Sequence, residues 1–197
     1  MASRPVIRLA VFGNPVAQSL SPAIHRAFAQ QCGLNVDYRA IEATSETFAG
    51  QVTSLAREGG RGCNITAPFK HEAWKLSQQS SESAKRARAA NTLVFEESGT
   101  WFADSTDGMG LVNDLEASAC TVLEGSRICL LGAGGAAASV VAALLNRRPE
   151  KLVIANRSLD RAEALACSHA DLGPVTALAP ADLVNETPFD LLINATS

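Results

Sequence analysis

Short apolar runs alternate with amphipathic stretches along the first half of the chain. The runs at 6–12, 38–43 and 62–65 have the composition of buried strands, and the stretches at 21–32 and 45–57 have helical periodicity. Strands that alternate with helices favour a largely parallel sheet with helices on its faces. The first half is therefore predicted to be an α/β domain.

The helical stretches carry apolar and charged faces. In the first helix, Ile24, Ala27 and Phe28 form an apolar stripe that is expected to pack on the sheet. A single long helix is predicted over 69–87. A strand at 93–96, followed by a Ser-Gly turn and a second short strand, predicts a hairpin.

In the second half of the chain, predicted strands again alternate with helices. Strands at 127–131 and 151–155 flank a helix that ends near Asn146, and shorter strands are predicted at 174–176 and 189–194. This order is typical of a Rossmann-type domain, which normally contains further strands and helices. The predicted organisation has three parts, namely an N-terminal α/β substrate domain (1–105), a linking helix (106–124) and an incomplete Rossmann-type nucleotide-binding domain (125–197).

Composition narrows the functional classes. The 197 residues are 47% hydrophobic and carry a formal net charge of −3, so no basic excess points to nucleic acid. No apolar run approaches the roughly 18 residues of a membrane span, and the N-terminus leads into a strand without a signal pattern, so a cytoplasmic protein is expected. The five scattered cysteines lack CxxC spacing, which predicts buried reduced thiols and no metal site.

Polar side chains follow the predicted strand at 62–65. Asn64 and Thr66 are two positions apart, so strand alternation places both on one side while Ile65 packs on the other. Lys70 follows at the start of the next helix. A partly desolvated lysine near other charges can exchange protons, so Lys70 is a candidate acid or base. A solvated surface lysine is the alternative.

A second polar turn precedes the first helix. Ser21 and Pro22 are typical of a helix start, where serine caps free amides and proline fits the first turn. Because a helix N-terminus favours negative charge, the hydroxyl groups of Ser19 and Ser21 predict an anion site there. Capping alone is the alternative for Ser21, whereas Ser19 has no predicted capping role. Both polar turns follow strands of one parallel sheet, so they are expected to converge on one edge.

Asp107 begins the helix that follows the hairpin. A carboxylate at this position would pair with Lys70, hold it charged and oriented, and relay its proton. The alternative is structural, because an acid in the first turn suits the helix dipole. Ser105 or Thr106 would then cap the same helix.

A glycine-rich turn follows the strand at 127–131. It fits G-x-G-x-x-A between a strand and a helix, a pattern in which glycines allow a tight turn and bring backbone amides to a pyrophosphate. The positions are Gly132, Ala133, Gly134, Gly135, Ala136 and Ala137. The strand at 151–155 completes a βαβ unit at the expected distance.

The residues after that strand predict which dinucleotide binds. An NAD site usually has an acid here for the ribose hydroxyls, but this chain has Asn156, Arg157 and Ser158, with Arg161 one turn later. Two guanidinium groups and a hydroxyl suit a 2′-phosphate, so NADP is the predicted cofactor. The alternative is a surface pair of arginines that compensates the acidic side chains of the same helix.

Taken together, these motifs resemble the shikimate dehydrogenase family along the whole chain. The matching segments, in the family's order, are 13–15, 19–22, 64–70, 90–92, 106–108, 132–137, 156–158 with Arg161, and 194–197. The resemblance implies NADPH-dependent, reversible reduction of 3-dehydroshikimate to shikimate in aromatic amino-acid biosynthesis. Family members usually have Gly-x-Asn-Thr-Asp where this chain has Ala103-Asp104-Ser105-Thr106-Asp107, which keeps the acid and changes the turn.

The resemblance also implies residue roles. Ser19 and Ser21 would bind the substrate carboxylate, and Thr66, Asn91 and Asp107 would hold ring hydroxyls, with Asn64 in support. Lys70 and Asp107 would form the catalytic pair. Ala195 and Thr196, in the last matching segment, would lie at the cofactor.

Two alternatives to this activity remain open. Family members continue through a complete nucleotide domain and a C-terminal helical segment that returns to the substrate site, so the chain is expected to be truncated. It could therefore be an inactive substrate-binding fragment. A quinate/shikimate dehydrogenase with relaxed cofactor use is the third reading, and the sequence leaves monomer and homodimer open.

Overall fold

The computed structural model describes residues 5–196, which form two compact units. The first unit contains residues 5–85 and 89–104, and the second contains residues 86–88 and 105–196. The predicted N-terminal lead at 1–4 and the last position of the 194–197 segment lie outside the described residues. Within residues 5–196, no helix is long and apolar enough to cross a membrane.

A six-stranded mixed sheet forms the first unit. Its elements are β1 (Ile7–Gly13), α1 (Ser21–Cys32), β2 (Val36–Glu42), α2 (Phe48–Arg57), β3 (Gly60–Ile65), α3 (Lys70–Leu76), β4 (Gln79–Ser80), α4 (Glu82–Ala87), β5 (Thr92–Phe95) and β6 (Trp101–Asp104). The strand order is β2-β1-β3-β5-β6-β4. Strand β1 pairs in parallel with β2 and β3, whereas β5 runs antiparallel to both β3 and β6, as the hairpin requires.

Three phenylalanines form the centre of the first core. The Phe48 ring stacks on Phe69 with centroids 4.6 Å apart and meets Phe12 edge-on at 5.9 Å. Each is buried, and burying one phenylalanine stabilises a fold by about 1.5–3 kcal/mol. Because Phe69 directly precedes Lys70, this core anchors the start of α3.

A four-stranded parallel sheet forms the second unit. Its elements are α5 (Asp107–Ala117), β7 (Arg127–Leu131), α6 (Gly135–Leu145), β8 (Lys151–Ala155), α7 (Leu159–Cys167), β9 (Val175–Leu178), a 3-10 helix (Pro180–Asn185) and β10 (Leu191–Asn194). The strand order is β10-β7-β8-β9, and every neighbouring pair is parallel. The predicted α/β class, with mostly parallel strands and a Rossmann-type second part, is confirmed.

The long helix predicted over 69–87 is wrong. The chain leaves the helix after Leu76 and forms the short strand β4, which pairs in parallel with β6. Trp101 donates its backbone N–H to Gln78 Oε1 at 2.7 Å, and Ala84 donates its N–H to Ser81 Oγ at 3.2 Å. Side-chain hydrogen bonds of this kind compete with a helix interior and favour helix starts, so polar residues break the helix despite its periodicity.

The face predicted for α1 is also wrong. Ile24 and Phe28 are 46% and 55% exposed, and Ala27 is exposed as well. The helix instead packs through Pro22, His25 and Ala29, which have the same helical spacing but lie on another side. His25 stacks on Tyr38 of β2, with ring centroids 4.1 Å apart. This contact orients the start of α1 toward the neighbouring strands.

The predicted burial of the cysteines holds for only two of the five. Cys63 and Cys129 are buried, whereas Cys32, Cys120 and Cys167 are exposed. All five are free thiols. The exposed three lie at the ends of α1 and α7 and in the loop after α5, where a small apolar side chain need not be covered.

His169, after α7, is buried, and one of its ring nitrogens has no partner in the described part of the chain. Its Nδ1 lies 3.0 Å from the Leu165 carbonyl oxygen, which can only accept, so Nδ1 carries the proton. Nε2 is buried and has no hydrogen-bond partner within residues 5–196. Burial lowers the pKa of His169; the Leu165 carbonyl and Asp171 oppose this effect, and Arg86 reinforces it.

Acid is expected to destabilise the second unit through this histidine. Below the ordinary histidine pKa of about 6.5, the unfolded chain binds a proton that folded His169 does not, so unfolding becomes easier as the pH falls. The melting temperature should drop between pH 7.5 and 5.5, by about 2–4 °C for each kcal/mol lost. Calorimetry on His169→Asn should show a smaller drop, while exposed His71→Asn serves as the control. Equal pH dependence in all three proteins would contradict the assignment.

Candidate active site

The antiparallel direction of β5 brings Asn91 to the end of β3. Thr92 lies opposite Asn64 in the β3–β5 register, and the Ile65 N–H donates to the Asn91 carbonyl oxygen at 2.8 Å. The Thr66 N–H donates to the Phe12 carbonyl at the end of β1. The structure therefore gathers Asn64, Thr66 and Asn91 at one edge of the first sheet, and all three side chains are half-buried.

Lys70 belongs to the same cluster. It is the first residue of α3, and its carbonyl oxygen accepts a hydrogen bond from the Ala90 N–H at 2.9 Å. This bond ties Lys70 to the segment that carries Asn91. The Lys70 side chain is half-buried, so the solvated surface lysine considered above does not describe it fully.

Two serines lie at the start of α1, and neither caps it. Leu20 occupies the N-cap position, and no side chain caps the helix, so Ser21 is not the cap. Ser19 Oγ accepts a hydrogen bond from the Ser21 N–H at 3.2 Å, although Ser19 is not the N-cap residue. The Ser21 carbonyl oxygen lies 3.0 Å from Nδ1 of His25, whose ring stacks on Tyr38. Ser21 is therefore connected through His25 to the strands that carry Asn64.

Gly13 leaves the space that Thr66 occupies. A Cβ atom at position 13 would lie 2.3 Å from Thr66 Cγ2 and 3.4 Å from the Ala67 carbonyl oxygen. Thr66 has only one side-chain rotation with which to avoid such a contact, and that rotation also moves its hydroxyl. The position of the Thr66 hydroxyl therefore depends on the glycine at the end of β1.

If Thr66 holds a ring hydroxyl of shikimate, as the family resemblance implies, Gly13→Ala is expected to weaken shikimate binding about 3- to 10-fold, the effect of losing one hydrogen bond. Titration calorimetry measures the change. The double variant Gly13→Ala/Thr66→Ser should regain affinity, because serine lacks the clashing methyl group and keeps the hydroxyl. Gly50→Ala in α2 is the control, since a Cβ there meets nothing within 4 Å. Failure of the serine to restore binding would contradict this role for Gly13.

The glycine-rich turn of the second unit has the backbone that the G-x-G-x-x-A pattern requires. Gly132 has a φ of +108°, and a Cβ there would lie 2.9 Å from the Ala195 carbonyl oxygen, so both conformation and space favour glycine. Gly134 is the N-cap of α6, and a Cβ there would meet nothing within 4 Å. No side chain caps α6, and no acid lies in its first turn. This helix start can accept an anion.

The segment after β10 lies against this turn. The Ala195 N–H donates to the Leu131 carbonyl at 2.8 Å, which continues the pairing of β10 with β7. Thr196 donates both its N–H and its hydroxyl to Asn194 Oδ1, at 3.0 and 2.7 Å. Ala195 and Thr196 are thus fixed beside Gly132, as neighbours of the candidate nucleotide site.

Two arginines follow β8 without a partner among residues 5–196. Asn156 Nδ2 donates to the Ser158 carbonyl at 2.9 Å, which closes the turn before α7. Arg157 and Arg161 are exposed, and neither makes an ion pair or hydrogen bond with any residue between 5 and 196. Among the described residues, neither arginine forms an ion pair with Asp160 or Glu163, the acidic side chains of the alternative. Their charges remain available for an anionic ligand.

Asp107 is the first residue of α5 and belongs to the second unit. Thr106 occupies the N-cap position without a side-chain capping bond, so the predicted cap by its hydroxyl is wrong. Gly108 lets α5 approach α6, because a Cβ there would lie 2.6 Å from the Ser139 carbonyl oxygen. Close packing on α6 fixes the helix start that carries Asp107. The pairing of Asp107 with Lys70 of the first unit stays a prediction.

Models of known protein families match both units. Residues 11–93 match the shikimate dehydrogenase substrate binding domain, and residues 114–197 match the shikimate/quinate 5-dehydrogenase family. The chain belongs to the shikimate dehydrogenase family. Together the two matches cover most of the chain, in the order that the sequence motifs indicate.

Individual members of the shikimate dehydrogenase family agree. A shikimate dehydrogenase (NADP(+)) of Chromohalobacter salexigens is 49% identical over 190 residues, which are 96% of this chain and 69% of that protein. Its counterpart in Dechloromonas aromatica is 48% identical over 95% of this chain and 68% of that one. The shikimate 5-dehydrogenase of Thermus thermophilus, solved with NADP(H) and shikimate, is 33% identical with a TM-score of 0.83, over 96% of this chain and 68% of that one.

Tyr38 and His25 are the site neighbours that sequence reasoning missed. Tyr38 Oη lies 2.7 Å from Asn64 Oδ1, and His25 Nδ1 lies 3.0 Å from the Ser21 carbonyl oxygen. Both residues precede the strand-end motifs in the sequence by many positions. The sequence signal for His25 is its helical spacing with Pro22 and Ala29, which is as regular as that of the exposed apolar stripe.

Proposed function

We propose that this chain catalyses the reversible, NADPH-dependent reduction of 3-dehydroshikimate to shikimate. The observation that carries the proposal is the convergence of Asn64, Thr66 and Asn91 around Lys70 at one edge of the first sheet. A polyhydroxylated ring acid needs several hydrogen-bonding groups and one proton donor in a single place, and this edge supplies both.

The first unit would act as the substrate domain. Ser19 and Ser21, at the N-terminus of α1, would bind the substrate carboxylate, because the helix dipole and their hydroxyl groups favour negative charge. Thr66 and Asn91 would hold ring hydroxyls, and Asn64 would support them. Asp107, from the second unit, would complete this set.

The geometry of the second unit, considered alone, is suited to binding NADP. Gly132 and Gly134 leave the start of α6 open to a pyrophosphate, flanked by Ala195 and Thr196. Arg157 and Arg161 would bind the 2′-phosphate, and Asn156 and Ser158 shape the turn that presents them. The residues from Gly132 to Ala137 would bind the pyrophosphate through backbone N–H groups.

Lys70 is the proposed proton donor and acceptor. NADPH, when bound, supplies the hydride that reduces the ketone. Lys70 would stabilise and protonate the oxygen that becomes the hydroxyl group, and in the reverse direction it would remove that proton. Asp107 would keep Lys70 charged and oriented.

Three further properties stay predictions. They are a domain division at 1–105, 106–124 and 125–197, a cytoplasmic location, and an oligomeric state that is either monomer or homodimer.

The test is the initial rate of NADPH formation at 340 nm with shikimate and NADP, together with calorimetric binding of each ligand. We expect both ligands to bind and shikimate to be oxidised. Binding of shikimate without turnover would instead favour the inactive substrate-binding form. Faster oxidation of quinate than of shikimate would favour the quinate reading, and absence of both binding and turnover would overturn the proposal.

A further inference from the structure

Tyr38 lies beside the proposed substrate residues without being one of them. It is on β2, half-buried, with its ring stacked on His25 at an interplanar angle of 20°. Its hydroxyl oxygen is 2.7 Å from Asn64 Oδ1. The side chain therefore connects the first helix to the polar end of β3.

The hydrogen bonds of Asn64 fix the direction of this contact. Asn64 Nδ2 lies 3.4 Å from the Asn91 carbonyl oxygen and 3.2 Å from Thr92 Oγ1. A backbone carbonyl can only accept, so the Asn64 atom that faces it must be the amino group. The carboxamide oxygen then faces Tyr38, which must donate.

The same reasoning extends through Thr92 to Asn91. Because Thr92 Oγ1 accepts from Asn64, its own proton is directed to Asn91 Oδ1, 3.1 Å away. Asn91 consequently turns its oxygen toward Thr92 and its amino group away from it. A one-way series of hydrogen bonds thus runs from Tyr38 through Asn64 and Thr92 to Asn91, and hereafter it is called the Tyr38 relay.

We infer that Tyr38 is a positioning residue for the substrate site, where its hydroxyl sets the amide orientation of Asn64 and, through Thr92, that of Asn91. This inference rests on the proposed function, because it gives those two amides their substrate. Burial raises the pKa of Tyr38, and the Ser21 hydroxyl offsets part of this rise, so that the net pKa is about 12. The phenol therefore stays protonated, and a donor, at neutral pH.

The orientation decides which hydrogen bonds the site offers. A carboxamide that turns by 180° exchanges its donor for its acceptor, so a ligand hydroxyl would meet a different partner. Without the Tyr38 proton, the described residues would hold the Asn64 amide only through the long 3.4 Å bond to the Asn91 carbonyl oxygen and the contact with Thr92, whose hydroxyl can donate as well as accept. The site would then divide its population between orientations, and only one of them matches the ligand.

Tyr38→Phe tests the inference, since it removes the hydroxyl and keeps the ring on His25. We expect the KM and the dissociation constant for shikimate to rise about 3- to 10-fold, with kcat changed less than about 2-fold, because an orienting bond of ordinary strength is lost. Thr53→Val is the matched control: it deletes a half-buried hydroxyl of the same unit, bonded at 2.8 Å to the Ala49 carbonyl, outside the relay. It should leave shikimate affinity unchanged.

A double-mutant cycle separates the relay from general loosening. Thr92→Val breaks the same series between Asn64 and Asn91, so the double variant Tyr38→Phe/Thr92→Val should lose much less affinity than the product of the two single losses. If the double variant lost as much affinity as the product of the two single losses, the Tyr38 relay would be contradicted. Equal shikimate affinity in Tyr38→Phe and the wild-type chain would overturn the positioning role itself.

Side-chain amide spectra distinguish failure of this inference from failure of the proposed function. In the 15N-labelled chain, the Asn64 and Asn91 amide resonances should both shift in Tyr38→Phe and stay in place in Thr53→Val. An unmoved Asn91 resonance overturns the relay whether or not shikimate binds. If the wild-type chain neither binds nor oxidises shikimate, the proposed function is overturned, and so is the role of Tyr38 toward the substrate. Even then, the spectra of Tyr38→Phe decide whether Tyr38 orients the amides of Asn64 and Asn91.

Discussion

Lys70→Ala is expected to lower kcat for shikimate oxidation about 100- to 10,000-fold, the range that a positioned acid or base contributes. The reason is its place at the start of α3, where the buried Phe69 and the backbone bond to Ala90 hold it beside Asn91. Steady-state rates at 340 nm measure the loss. The dissociation constant for shikimate should change far less than kcat, because the role proposed for Lys70 is to act on the reacting oxygen.

Lys75→Ala provides the control for charge and helix. Lys75 lies on the same helix, α3, and is exposed, so its loss removes an equal charge without touching the site. We expect its kcat to stay within about 2-fold of the wild type, as for most surface substitutions. If Lys70→Ala kept a wild-type kcat and only its binding changed, Lys70 would not be the proton donor.

Periodicity predicted the second unit closely because its strands are buried on both faces. The strands at 127–131 and 151–155 have the observed bounds, since continuous apolar runs ended by Gly132 and Asn156 leave few alternatives. In the first unit, residues 69–87 have helical spacing, yet polar side chains at Gln78 and Ser81 break the helix. The Gln78 side chain bonds to Trp101, which is distant in sequence, so no local pattern shows this bond.

Some residues of the candidate site could likewise be predicted from the sequence, and others could not. Asn64, Thr66 and Lys70 are close in sequence and follow one strand, so their convergence could be predicted from strand alternation alone. Asn91 joins them only because β5 reverses direction, and here the family resemblance supplied what the spacing did not. Tyr38 reaches Asn64 from a strand two places away in the sheet order. A long side chain crossing that distance leaves no periodic signal.

Replacing Arg157 is expected to change cofactor preference more than cofactor binding in general. Arg157→Ala should weaken NADP binding about 10- to 100-fold, because a charge-assisted contact to a phosphate is worth roughly 1.5–3 kcal/mol. Binding of NAD, which lacks the 2′-phosphate, should change less than about 3-fold. The double variant Arg157→Ala/Arg161→Ala should extend the loss for NADP only. Titration calorimetry with both dinucleotides measures each change.

Two smaller probes isolate the phosphate from the rest of the cofactor. Adenosine 2′,5′-bisphosphate should lose affinity in Arg157→Ala as NADP does, whereas adenosine 5′-monophosphate should not. The loss should shrink as salt rises, since exposed charges are screened within about 8–10 Å at physiological ionic strength. Arg147→Ala is the control, because its guanidinium is already paired with Glu116 at 2.8 Å. Equal losses for NADP and NAD would show that Arg157 supports the fold of the turn and does not read the 2′-phosphate.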